Sequence, residues 1–260
     1  MGEFSHIIDG MTWSFSRIES FEQCPYGWLS KYIYGEEQRR LFFSDFGSFI
    51  HDILRRLFAG ELDADELGDA YLMEFSEKVS GYAPSRQIVS GRFQDGYSYL
   101  RSPISTYHEL KSRNVLAVEQ SFVLNISDIP FTGVIDLVTS DHGDIVVTDH
   151  KSTVIKPPSG RKKPTLYDID REKRARQLYL YALAVKEAYG QWPARLEFNC
   201  FRVPEIISIP FNEKAKDEAV AWALDSVQNI QNCDEFSPKV DYFYCKNLCD
   251  LKECPYRDFL

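Results

Sequence analysis

No window of the 260 residues approaches the ~18 uninterrupted apolar positions of a membrane-spanning helix, so the chain is expected to stay out of the bilayer. The opening MGEFSHIIDG lacks a basic start followed by an apolar core and is not read as a secretory signal. Met11 precedes the first patterned segment, so residues 1–12 read as a tail or an expression scar, and the expected compartment is the cytoplasm. No G-x4-G-K-[S/T] occurs, which excludes a P-loop motor in this sequence; any unwinding would fall to a separate chain. Repeats, low-complexity tracts and domain-splitting linkers are also lacking, so residues 13–260 are expected to form one domain.

Positive charge is short as well. Thirty Lys and Arg face 39 Asp and Glu, and the net −9 argues at first against a polyanionic partner. The distribution reverses that reading, because residues 151–176 hold nine Lys/Arg (151, 156, 161, 162, 163, 171, 173, 174 and 176) against three acids, leaving −15 on the remainder. Such a run is ordinarily a solvated loop; its position beside Asp149 and Lys151 makes it a candidate phosphate-facing edge.

Patterning predicts a helix over 14–35, opened by a Ser16-x-x-Glu19 capping box and broken near Cys24–Pro25. A second helix over 44–60 has apolar residues at helical spacing and stops at Gly60. Weakly patterned helical sequence over 61–111 precedes strands at 115–124, 131–139 and 144–150, a helix over 173–190, strands at 194–203 and 207–211, and a helix over 212–231. The expected class is α/β, a mixed central sheet flanked by helices.

The stretch GVIDLVTSDHGDIVVTDHKST (133–153) sets Asp136, Asp149 and Lys151 against apolar strand sequence, where unpaired charge is costly. With Ser140–Gly143 as the turn, Thr139 pairs with Asp144 and Asp136 faces Val147. Alternation then points Asp136, Val147, Asp149 and Lys151 the same way, with the two carboxylates as diagonal neighbours. Two hard oxygen ligands suit Mg²⁺ or Mn²⁺, which polarises a phosphate and acidifies water, and an adjacent ammonium can offset developing phosphate charge. The spacing alone is common, and by itself fits an exposed hairpin end with a salt bridge.

These segments together resemble the PD-(D/E)xK nuclease superfamily, in particular its RecB-like branch, which includes CRISPR-associated RecB-like exonucleases and the AddB nuclease domain. SFSRIESFEQCP resembles the branch's opening helix with its cysteine, GSFIHDIL the segment with a metal-binding histidine, and VEQSF the strand with an acidic residue. GVIDLV and VVTDHKS resemble the metal aspartate and the (D/E)xK motif, and RQLYLYALAVK the QxxxY helix. Ile135 stands where the superfamily's nominal Pro would be. The resemblance implies a restriction-endonuclease-like core with His51, Asp136 and Asp149 as metal ligands, joined by Glu119 and the backbone carbonyl of His150. It implies catalytic roles for Lys151, Gln177 and Tyr181. Taken without it, His51 on an apolar helix face is ordinarily a core histidine, Gln177 a surface residue, Tyr181 a core aromatic and Glu119 a solvated strand residue. Lys156, Arg161, Lys162, Lys163, Arg174 and Arg176 are the candidate contacts to the DNA backbone.

Six cysteines occur, and Cys245-x3-Cys249-x4-Cys254 points to metal rather than to disulfides in a reducing compartment. Three thiols leave a four-ligand site open, and Cys24 is the candidate fourth, since CPYGW and CPYRD both begin Cys-Pro-Tyr. The resemblance implies a [4Fe-4S] cluster joining the termini. Its commoner spacing is C-x2-C-x5-C, with the same outer span, and four thiolates also suit structural Zn²⁺. Cys200 and Cys233 read as packing residues. The expected function is a Mg²⁺- or Mn²⁺-dependent deoxyribonuclease, acting as an exonuclease on single-stranded DNA or DNA ends. A separate helicase or a recombination or CRISPR-adaptation protein is the expected partner. The rival is a catalytically silent DNA-binding or assembly subunit of such a complex; RNA cleavage is a third reading.

Overall fold

The computed structural model describes residues 3–257. Two tight hairpins organise its sheet. Strands β1 (Asn114–Ile126) and β2 (Ile129–Asp141) are joined by Ser127-Asp128, and β2 and β3 (Asp144–Lys151) by His142-Gly143. All four turn residues have positive φ, the geometry of two-residue turns that match strand twist. The second turn is two residues shorter than the sequence suggested, so Asp141 pairs with Asp144 and Val138 with Val147. The shift equals the side-chain period and leaves each residue on its expected face. Continued one step beyond Leu137↔Thr148, it sets Asp136 directly across from Asp149 rather than on its diagonal.

β4 (Arg195–Cys200) joins β3 in parallel, and β5 (Glu205–Pro210) closes the edge antiparallel, giving the order β1-β2-β3-β4-β5. The parallel step requires a crossover. Helix α8 (Leu166–Tyr189) supplies it, opened by a Thr165/Asp168 capping box and ended by Gly190 in the left-handed conformation. It begins about two turns before the expected residue 173, because T-L-Y-D is itself a capping signal. Residues 166–172 are therefore helical rather than part of a basic loop.

Helix α1 (Ser5–Ile8) lies within the segment read as a tail, yet buries Ile8. The first long helix is α2 (Phe15–Gln23), capped by Ser14 accepting from the Arg17 N–H. The expected Ser16 box does not form; Ser16 bonds to Ser14 instead. In α3 (Pro25–Tyr32) the Cys24 sulfur accepts from the Gly27 N–H and Pro25 occupies the first position. Helix α4 (Phe42–Phe58) starts two residues earlier than expected and buries Phe46, Phe49, Ile50, Ile53, Leu54 and Leu57. Helices α5 (Leu67–Lys78), α6 (Arg86–Arg101) and α7 (Thr106–Lys111) pack with it over one face of the sheet, around Leu137 and Phe201. Helix α8 covers the other face, with Ile135, Val138 and Val147 beneath Leu178 and Ala182. A third cluster joins Trp13 and Trp28 to α9 (Glu213–Gln231) through Val227 and Ile230. Helix α10 (Tyr242–Asn247) opens the C-terminal cysteine segment. No helix among the described residues is long and apolar enough to cross a membrane.

Candidate active site

The site lies where β2 and β3 run between α4 and α8. Asp136 and Asp149 are buried in adjacent strands, with 9% and 3% of their surface exposed. Asp136 Oδ2 accepts from the backbone N–H of His150 at 2.7 Å and lies 3.5 Å from His51 Nδ1 on α4. Glu119 reaches the same place from β1. It takes φ +48° between the extended pairs Val118↔Leu137 and Gln120↔Ile135, a left-handed kink of the kind that costs about 1–3 kcal/mol and clusters at functional sites. One ligand atom each from His51, Glu119 and Asp136 lies within 4.8 Å of the others, a donor set of one nitrogen and two carboxylates suited to a divalent cation.

Lys151 Nζ is 2.7 Å from Asp149 Oδ2 and donates to Gln177 Oε1 at 2.9 Å; Gln177 Nε2 donates to the Tyr181 hydroxyl at 2.6 Å. Asp149 Oδ2 is buried and held in the ion pair with Lys151, without a well-aligned hydrogen bond. A buried carboxylate held by one ammonium, beside two further carboxylates and an imidazole, is what an ion-binding site offers. The residues fit Mg²⁺ or Mn²⁺.

Charge is divided unevenly between the aspartates. Burial raises the Asp149 pKa to about 6, Lys151 opposes this and the Asp136 charge adds to it. Burial would raise Asp136 too, but His51 and the His150 N–H outweigh it and hold that carboxyl at about 2. Burial disfavours the His51 imidazolium, yet the Asp136 carboxylate raises its pKa above the usual value. Glu119 is raised by burial and by Asp136. Burial depresses His150 to about 4. Its ring lies against Phe58, and its Nδ1 is 3.0 Å from Asn199 Nδ2, so only its backbone faces the carboxylates. Burial also keeps the Tyr181 hydroxyl protonated, with its pKa well above the ordinary value.

A cleft of about 760 Å³ opens over these groups, lined by His51, Glu119, His150, Lys151, Ser152 and Arg174. Of the basic residues singled out in sequence, Arg174 thus reaches the cleft, paired with Asp170 at 2.9 Å. Arg161, Lys162 and Lys163 are exposed on the loop before α8, and Lys156 sits over the Tyr167 ring at 4.1 Å. Arg176 turns away, stacking on Trp222 at 4.7 Å and lining a different cleft. Two residues that the sequence reading did not assign belong here. Arg55 lines the cleft one turn beyond His51, a legible i, i+4 signal. Glu19, read only as a capping residue, has its pKa raised by burial, with the charges of Arg174 and Lys151 acting to lower it.

The chain ends are joined through backbone and side-chain contacts. Gln38 bridges Leu251, Lys31 pairs with Asp250 at 2.7 Å, Arg39 donates to the carbonyls of Cys245 and Cys249, and the Tyr26 ring meets that of Tyr256 edge-on at 5.0 Å. Among the described residues no three thiols lie within 4.8 Å of one another. Tetrahedral zinc would need sulfurs about 3.8 Å apart, given bonds of ~2.3 Å.

A mixed sheet flanked by helices, with acidic residues and a lysine converging from two adjacent strands, defines a nuclease class. The chain belongs to the PD-(D/E)XK nuclease superfamily, whose family model matches residues 12–259. A crystal structure from Eubacterium rectale, described as a candidate exonuclease, shares the fold with a TM-score of 0.54 at 13% identity, covering 95% of this chain and 87% of that one. The crystal structure of SSO0001 is 16% identical, covering 81% of this chain and 96% of that one, at a TM-score of 0.30. No curated protein sequence gives a significant match.

Proposed function

We propose that the protein is a Mg²⁺- or Mn²⁺-dependent deoxyribonuclease of the RecB-like branch, acting as an exonuclease on single-stranded DNA or DNA ends. The observation that carries this is the convergence of His51, Glu119 and Asp136 within 4.8 Å, beside the buried Asp149–Lys151 pair. These four residues would hold the cation. When bound, it supplies Lewis-acid polarisation of the phosphate and a more acidic water.

The protein's own groups do the rest. Gln177 fixes the Lys151 ammonium from α8, so it is aimed into the cleft without a conformational search. There it orients the attacking water and offsets charge growing on the phosphate. Tyr181, held protonated, anchors Gln177 in turn. Arg174 and the loop residues Lys156, Arg161, Lys162 and Lys163 track the backbone, and the salt dependence of binding counts such contacts.

Cys24, Cys245, Cys249 and Cys254 hold a [4Fe-4S] cluster in this reading, a structural staple between segments already in contact. A cluster spreads its ligands more widely than one zinc ion does, in keeping with thiols that do not meet the one-ion spacing. Cleavage of end-labelled single- and double-stranded DNA, with Mg²⁺, Mn²⁺ or EDTA, tests the proposal. Metal-dependent loss of nucleotides from single strands is expected; DNA binding without cleavage under every metal condition would leave the silent-subunit reading.

A further inference from the structure

A second cleft, of about 270 Å³, lies on the other side of Gln177 and Tyr181 from the metal-binding group. Its walls are Phe15, Phe122, Phe131 and Tyr181, with the hydroxyl residues Ser14, Ser16 and Thr132 at its polar edge. No Lys, Arg, Asp or Glu lines it. The phosphate-compatible groups, Lys151, Arg174 and Arg55, belong to the neighbouring cleft instead.

The backbone is shaped to keep this aromatic wall in place. The Phe122 ring lies across Gly133, where a Cβ would come within 2.7 Å of it and 3.4 Å of the Tyr181 ring. Phe122 and Tyr181 then meet edge-on, with centroids 5.7 Å apart. This accounts for the glycine three residues before Asp136: a side chain there would push apart the wall that Tyr181 shares with the Lys151–Gln177 pair.

Resting on the nuclease reading above, we propose that this cleft receives one unpaired nucleobase of the strand whose neighbouring phosphate lies at Asp136, Asp149 and Lys151. Four rings with no charged lining favour a π-face and disfavour a phosphate, and the hydroxyls with the Gln177 amide can meet the polar edge of a base. The volume is below the roughly 300–1,000 Å³ of pockets for larger ligands, a fit for a single base. A base inside a duplex is stacked and paired and cannot enter. The cleft therefore makes the enzyme select single strands or frayed ends, and it is tolerant of sequence because every base has a π-face.

The experiment walks one abasic position along a single-stranded oligonucleotide. Cleavage is read as kcat/KM in Mn²⁺, and binding by fluorescence polarisation in EDTA. The expected result is a loss of about ten-fold at one position next to the scissile bond and little elsewhere. Ser16→Trp, on an exposed position of the cleft mouth, should bring the intact strand down to the abasic level and abolish further abasic sensitivity. Phe122→Leu is the second variant, and should halve or more the abasic effect, read as the ratio of intact- to abasic-strand cleavage by the same variant. Equal sensitivity at all positions, or wild-type rates for Ser16→Trp with the abasic effect intact, would overturn the assignment. Absence of cleavage together with position-dependent binding would sink the catalytic reading and keep the cleft; cleavage without position dependence would do the reverse.

Discussion

Replacing Asp149 by Asn should stabilise the metal-free protein, an unusual sign for a change in a buried polar residue. In the folded chain the Asp149 pKa is raised from its ordinary 3.8 to about 6. Between those two values the folded state binds more protons than the unfolded one, so stability falls as pH rises through the window. Above pH 6 the full cost is present. A displacement of this size corresponds to about 3 kcal/mol at ~1.4 kcal/mol per pH unit, with the Lys151 attraction already included. Asparagine resembles the protonated carboxyl in shape and carries no charge, so it should recover about 1–3 kcal/mol near neutral pH. For a chain of this length that is on the order of 5 °C in Tm.

The assay is thermal unfolding in EDTA and in millimolar Mn²⁺, at pH 4 and pH 7.5. Wild type should be less stable at the higher pH relative to Asp149→Asn, and the gap should close at pH 4. Added Mn²⁺ should raise the wild-type Tm by mass action and leave the variant nearly unmoved, since a ligand is gone. Asp136→Asn is the internal control with the opposite sign. Asp136 is held at about 2 by His51 and the His150 N–H, so its charge stabilises the fold above pH 4 and that contribution is lost as pH falls toward 2. Removing that charge should cost about 2 kcal/mol at neutral pH. A destabilised Asp149→Asn in EDTA, or Mn²⁺ stabilisation equal to that of wild type, would refute the reasoning.

Three further outcomes are expected. Lys151→Ala should bind single-stranded DNA with nearly unchanged affinity and lose cleavage rate by orders of magnitude, because the ammonium acts on transition-state charge; equal losses in affinity and rate would make it a simple phosphate contact. Glu119→Gly should lose Mn²⁺ stabilisation yet keep or gain stability in EDTA, since glycine accepts φ +48° without strain, a point that thermal melts check directly. Alanine at Cys24, Cys245, Cys249 or Cys254 should lower Tm and bleach the brown colour expected of anaerobically purified protein, whereas Cys200→Ala and Cys233→Ala should cost roughly 1 kcal/mol; a colourless preparation with one zinc per chain would reject the cluster.

Much of the sheet was legible because its hairpins alternate cleanly and because a register error of two residues preserves parity. The placement of Asp136 with Asp149 and Lys151 therefore survived a wrong turn length. Helix starts were less legible, since several cap signals compete. Ser14 and Ser16 both precede Phe15–Gln23, and only tertiary packing decides that Ser14 accepts from Arg17. The capping signal of α8 lay inside a run dominated by charge, which concealed the two turns over residues 166–172. Along α8 a 3.6-residue period separates Arg174, at the cleft, from Arg176, stacked on Trp222.

What no local pattern can express is how two environments for like residues arise on adjacent strands. Asp136 and Asp149 face one another, and a symmetric pair would share its repulsion. Here the long-range packing of α4 against β2 gives Asp136 an imidazole and β3 gives it a peptide N–H, while Asp149 meets the ammonium of Lys151 on its own strand, which Gln177 of α8 also engages. One carboxylate is thus ionised at any ordinary pH, and the other carries a burial cost that a divalent cation would offset. The strain at Glu119 has the same direction, since it turns a third carboxylate toward Asp136, and burial with the Asp136 charge raises its pKa. The buried charge at Asp149 and the left-handed backbone at Glu119 are thus two departures from local comfort, in two strands, and both set a carboxylate beside Asp136.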